Sequence, residues 1–110
     1  MTVDEQQILL MISSSGVSKT KTFEALRKCK TREYDAAREL LAEAKKADLE
    51  AHNAQSAMIS AALRTDGADA PSISLLEVHA QDHYMTSQLA RDLIEELVDV
   101  FEARDAEGRE

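Results

Sequence analysis

Residues 75–101 read LLEVHAQDHYMTSQLARDLIEELVDVF, and their periodicity decides the fold. At about 100° per residue, Leu75, His79, Asp82, Thr86, Leu89, Leu93, Leu97 and Val100 fall in one narrow stripe. Leu76, His83, Ala90, Ile94, Val98 and Phe101 make a second stripe beside it. Together they cover about half the helix circumference, wider than the roughly 100° that an ordinary surface helix buries. The stretch predicts a long helix that starts near Ser72 or Ser74 and runs to about Arg104, with more apolar face than two neighbours in one bundle can cover. A snug monomeric core is one explanation. Self-association through this helix, with copies burying the surplus around a symmetry axis, is the better one.

Upstream, Thr2 and Glu5 have capping-box spacing and mark the start of a first helix. Ile8, Met11, Ile12, Phe23, Leu26 and Cys29 recur along it at helical intervals, while Ser13, Ser14, Ser15 and Gly16 predict a weak centre where the helix bends or breaks. The stretch CKTREYDAA supplies the first connection, with Thr31 as N-cap of a second helix over about Arg32–Leu63. That helix has alanine at many core positions, so its neighbours can approach closely. RTDGADAPS, residues 64–72, holds one of the three glycines and the only proline, and is the one clear loop. Three helices of about 45 Å each predict an all-α, antiparallel three-helix bundle: one domain over residues 1–104, then a polar tail, DAEGRE, over 105–110.

Composition agrees. A chain of 110 residues holds one domain, and 44% hydrophobic with 31% charged residues is globular rather than disordered. Three Gly and one Pro are too few for the turns of a β-sandwich or a doubly wound sheet. The net charge of −8 is concentrated in residues 67–110, which carry eleven acidic and three basic side chains. Such a surface argues against nucleic acid or an anionic membrane as partner. A single cysteine, Cys29, allows no intramolecular disulfide, and the acidic N-terminal segment resembles no signal peptide or membrane span. These features predict a cytoplasmic protein.

The polar residues inside the apolar seam carry the chemistry. An unpaired Asp82 carboxylate buried in such a seam would cost several kcal/mol, so it must be protonated, paired or bound to a cation. If copies of the helix meet around an axis, copies of Asp82 meet too, and a cation or protons must hold the like charges together. His79 and His83, at i and i+4, lie on adjacent turns of one face. As a pair they fit a structural role, satisfied by bundle carbonyls or carboxylates. They also fit a zinc site with His52 as third ligand, although Ala80 stands where a zincin HExxH needs its glutamate. A two-component phosphotransfer domain would also place a histidine on a bundle helix, but its HxxKG-like surroundings are missing.

The string VHAQDHYMTS closely resembles the VHAQDHLMTS-like hallmark on the third helix of the lactose/cellobiose-type IIA components of the bacterial phosphoenolpyruvate-dependent sugar phosphotransferase system. EAHNAQS, residues 50–56, resembles the EAHxxQT of that family's second helix, and FEALRKCKTREYDAARELLAEA, residues 23–44, resembles its helix-turn-helix entry. The resemblance spans nearly residues 5–103. It implies three-helix subunits that form homotrimers. It implies that His79 accepts a phosphoryl group from the histidine-containing phosphocarrier protein and passes it to a cysteine of the cognate IIB component, which serves a membrane IIC component. It also implies that Asp82 binds a shared metal ion on the threefold axis, for which Mg²⁺ or another divalent cation suits an all-carboxylate shell.

A neutral imidazole near its usual pKa of about 6.5 is a competent nucleophile at cytoplasmic pH. Phosphoryl transfer asks mainly for positioning and for donors to the equatorial oxygens, and His83 is the natural donor, with Thr86 nearby. Gln81 points roughly 160° away from His79, so it is expected as an interface or surface amide, or to act on another subunit's site. His52 and Gln55 share a face of the second helix and are expected to pair with the polar cluster of the third. Tyr84 replaces the family's leucine on what reads as the polar side of the helix. KTREYD stands in place of a Gly-Asp-Phe-like turn, and Lys19 and Lys21 lie where small or mixed residues are expected. None of these departures removes a reacting group. A noncatalytic assembly or regulatory module of the same fold is the alternative.

Overall fold

The three expected helices form, and their ends are set by particular side chains. A computed structural model describes residues 3–64 and 73–108, with side chains from residue 5 onward. Helix α1 spans Val3–Lys28, a single 3₁₀ turn spans Cys29–Thr31, α2 spans Tyr34–Arg64 and α3 spans Leu75–Glu107. Thr2 and most of the loop over 64–72, including Ser72, lie outside the described residues. Ser74 caps α3: its backbone is extended (φ −88°, ψ 158°) and its hydroxyl accepts from the Glu77 N–H at 3.1 Å.

Two expectations about the first hairpin change. Thr31 does not cap α2; it belongs to the 3₁₀ turn, where its hydroxyl donates to the Lys28 carbonyl and to the Glu33 carboxylate. The chain instead reverses through Arg32, in the left-handed region at φ 59°. Its N–H donates to Cys29 O at 3.2 Å, and the Glu33 N–H donates to Lys28 O at 3.0 Å. Glu33 then supplies the first carbonyl of α2, accepting from the Ala37 N–H at 3.0 Å. A left-handed non-glycine costs roughly 1–2 kcal/mol. The Arg32 guanidinium partly offsets this through a 3.4 Å ion pair with Asp105.

The second change concerns α1, which passes through Ser13–Gly16 as a continuous helix. The small residues have a packing role. Ser14, Ser15, Ser18 and Thr22 are all buried, and they let α1 sit close against both neighbours. They form a polar waist between two apolar clusters. At one end Ile8, Met11, Ala51, Ala54, Ala80 and Tyr84 pack together; at the other, Ala25, Tyr34, Ala37, Leu41, Ile94 and Val98. These groupings make α1 and α3 parallel, with α2 antiparallel to both.

The waist also holds a buried polar contact between α2 and α3. Asp48 is 4% exposed and accepts from Ser87 Oγ and from Arg91 Nε, each at 2.8 Å. Its two oxygens are thus held by α3, where the carboxylate is both paired and hydrogen-bonded. At the far end Arg38 pairs with Asp99 at 3.0 Å and Glu102 at 2.8 Å. Tyr34 donates its hydroxyl to Asp105. That bond and the Arg32 pair hold α3 to the bundle beyond Arg104, so the segment expected as a tail from residue 105 is helical through Glu107.

The buried side of α3 shares only Ile94 and Val98 with the second apolar stripe and nothing with the first. It consists of Ala80, Tyr84, Ser87, Ile94 and Val98, with Arg91 nearly buried. Tyr84, expected on the polar side, is 3% exposed and lies in the apolar cluster. Apart from Leu97, which packs on the cluster of Ile94 and Val98, the leucine-rich seam points away from α1 and α2, leaving Leu75 85%, Leu89 66% and Leu93 55% exposed.

Candidate functional site

The seam brings His79, Asp82 and His83 together on the second and third turns of α3. The His79 and His83 rings meet edge-on, their centroids 4.5 Å apart, with Nε2 to Nε2 at 3.1 Å. At that distance one Nε2 carries a hydrogen and the other offers its lone pair. His79 is exposed, whereas His83 is half-buried, with Nδ1 wholly enclosed and without a hydrogen-bond partner. Burial, then the charges of Lys19 and His79, hold His83 below the ordinary imidazole pKa, against the opposing pull of Asp82. The pair is therefore an exposed imidazole beside one that favours its neutral form.

Asp82 is exposed on the seam, and its carboxylate makes no hydrogen bond or ion pair among the described residues. Leu75, Leu76, Val78, His79 and Asp82 line a shallow open groove. Thr86, one turn on, is committed elsewhere: its hydroxyl donates to the Asp82 carbonyl at 2.7 Å and approaches the His83 carbonyl at 3.3 Å.

His52 and Gln55 do pair with α3, but on its α2-facing side and not with the histidines. His52 Nδ1 shares a 3.0 Å hydrogen bond with the Tyr84 hydroxyl, and Gln55 Nε2 donates to Gln81 Oε1 at 2.6 Å. Gln81 is accordingly a contact within the bundle. His52 does not join His79 and His83, and no group of three or more His, Cys, Asp or Glu side chains is placed to hold a metal among the described residues. A zinc site within one chain is not formed.

The buried Asp48–Arg91 pair went unforeseen. Its signal was present: Asp48 continues the buried row Ala37, Leu41, Ala44 and precedes Ala51, so helical spacing alone puts a carboxylate in the core.

Comparison with known proteins gives this geometry a context. The family described as "PTS system, Lactose/Cellobiose specific IIA subunit" matches residues 6–102. The N,N'-diacetylchitobiose-specific EIIA component of Escherichia coli strain K12 is 36% identical over 98 residues, covering 89% of this chain and 82% of that one. The lactose-specific EIIA component of Staphylococcus epidermidis is 34% identical over 103 residues, 92% of this chain and 96% of its own. Among solved structures, the cellobiose-specific enzyme IIA of Bacillus anthracis superposes with a TM-score of 0.87 at 33% identity, covering 96% of this chain and 94% of the other. The IIA(chitobiose) structure solved in complex with HPr from Escherichia coli gives 0.79 at 32% identity, covering 96% and 99%. No helix among the described residues is long and apolar enough to cross a membrane. By sequence across nearly its whole length and by fold, the chain belongs to the lactose/cellobiose-specific IIA subunits of the phosphotransferase system, a transferase component that carries phosphoryl groups.

Proposed function

We propose that His79 is the phosphoryl acceptor, loaded by HPr and unloaded onto a cysteine of a IIB component that serves a membrane IIC component. The observation that carries this is the exposed His79 ring with its Nε2 3.1 Å from His83 Nε2. The donor is supported by the relative solved in complex with HPr. In the loading step the neutral His79 Nε2 attacks the phosphorus of the donor phosphohistidine. A new N–P bond forms as the donor's N–P bond breaks, and the donor imidazole keeps the released electron pair. His83, carrying its hydrogen on Nε2, donates to a phosphoryl oxygen as charge moves across. Unloading reverses the roles, with a cysteine thiolate as nucleophile and His79 as leaving group.

The protein acts in the cytoplasm as a homotrimer built on the outer seam of α3. Its exposed leucines need cover, and Asp82 lies among them with an uncommitted carboxylate. A hard oxygen donor of this kind fits a hard divalent cation such as Mg²⁺, held by Asp82 and its two symmetry copies. Bound there, the ion cancels like charge that would otherwise oppose assembly.

Phosphorylation from phosphoenolpyruvate through enzyme I and HPr tests the acceptor. Wild type takes label and His79→Ala takes none. Undiminished labelling of that variant contradicts the assignment.

A further inference from the structure

His83 offers one N–H to a phosphoryl group that arrives with about two negative charges. The formal charges flanking the histidines on α3, Glu77 and Asp82, have the wrong sign. A cation must come from another element, and α1 provides one.

Ile12, Lys19 and Leu26 recur every seven residues, two turns apart, and share one row of α1. Ile12 packs on the cluster containing Ala80 and Tyr84, while Leu26 packs on the cluster containing Ile94 and Val98 and shares a groove with Phe101. Ser14 and Lys21, on the other flank of α1, bond to Glu50 and Glu43 of α2, so the Ile12–Lys19–Leu26 row lies on the α3 side. The opposing row of α3 reads His83, Ala90, Leu97 and Phe101, and Lys19 sits between the two ends, near the level of Ala90. Helical side chains lean toward their own N-terminus. Because α1 and α3 are parallel, that lean carries the Lys19 ammonium toward His83. Lys19 is half-buried and makes no hydrogen bond or ion pair among the described residues, in contrast to Lys21, which pairs with Glu43 at 3.1 Å on the α2 side. Its positive charge is the strongest charge felt at His83, ahead of His79 and Asp82.

We propose that Lys19 is the cation that neutralises the phosphoryl group while His79 carries it, reaching the group past His83 from the facing row of α1. This rests on His79 being the acceptor. It explains why a lysine here stays unpaired on an acidic protein: its partner is present only when the carrier is loaded. The ammonium forms no covalent bond and transfers no proton. It compensates charge and fixes one side of the phosphoryl group.

The test compares wild type, Lys19→Met, Lys19→Arg and Lys21→Met in phosphoryl transfer from phosphorylated HPr. Initial rates over a range of HPr concentrations and the phosphorylated fraction at equilibrium are both read. Losing a charge-assisted contact lowers kcat for Lys19→Met by about ten- to a hundredfold and shifts the equilibrium toward phosphorylated HPr. KM and the thermal melt stay near wild type, Lys19→Arg recovers most of the rate, and Lys21→Met matches wild type. A Lys19→Met protein with unchanged kcat and equilibrium overturns the proposal. So does one whose only change is a raised KM, which would make Lys19 a docking contact for HPr. Failure of the acceptor assignment shows separately, as His79→Ala that still takes label.

Discussion

The two faces of α3 are built from different kinds of residue, and the more hydrophobic one is on the outside. The inner face carries Ala80, Tyr84, Ser87, Arg91, Ile94 and Val98. It is held to α2 by a buried ion pair and by hydrogen bonds of specific length. The outer face carries Leu75, His79, Asp82, Thr86, Leu89, Leu93 and Val100, and its leucines are mostly exposed. Small and polar side chains allow close, registered packing inside one subunit, whereas a leucine seam is what identical copies need to meet. On this account the inner face sets the register of the helices, and the outer face assembles subunits and presents His79.

Breaking the inner face at its waist has the largest effect on stability. Asp48→Ala leaves Arg91 nearly buried without its carboxylate and removes the acceptor for Ser87. The expected loss is about 3–5 kcal/mol, read by urea unfolding at one fixed chain concentration. A loss under about 1 kcal/mol, the range of an exposed pair, would show that the waist is hydrated and does not set register.

A smaller effect sharpens the outer face. Chelation is expected to lower the melting temperature of the wild-type protein and to leave Asp82→Asn unchanged, because that variant has neither the carboxylates to hold an ion nor the repulsion the ion cancels. Identical melting of wild type with and without chelator removes the proposed metal.

The smallest effect separates the faces within two neighbouring residues. Tyr84→Phe keeps the ring in the apolar cluster and deletes only the bond to His52. It should cost about 1 kcal/mol, with labelling of His79 unchanged. Labelling lost with stability intact would mean that the inner face reaches the chemistry.

Much of this was legible from residue spacing. The periodicity of residues 75–101 gave α3, Ser74 capped it as a hydroxyl before an apolar run should, and the motif placed His79, Asp82 and His83 on one side. What the pattern could not give was direction. Two adjacent apolar stripes do not say which faces the subunit's own core, and a tyrosine that shares a helix face with Gln81, Ser87 and Gln88 reads as exposed until the alanines of α2 leave room for it. The serines of α1 read as weak helix for the same reason: propensity penalises them, while close packing between three helices favours their size. The turn at Arg32 was hidden because a left-handed residue is normally announced by glycine. The helical end of α3 depended on Tyr34 and Arg32 meeting Asp105, some seventy residues away, which no local pattern reports.

Sedimentation equilibrium of the wild-type protein at micromolar chain concentration tests the division of labour between the faces most directly. The account predicts one species of three times the 12.2 kDa chain mass. It also predicts that Leu89→Asp, a charge in the middle of the outer seam, sediments as single folded chains. A wild-type protein that sediments as a stable monomer would contradict it, since the exposed leucines of α3 would then have no assembly to explain them.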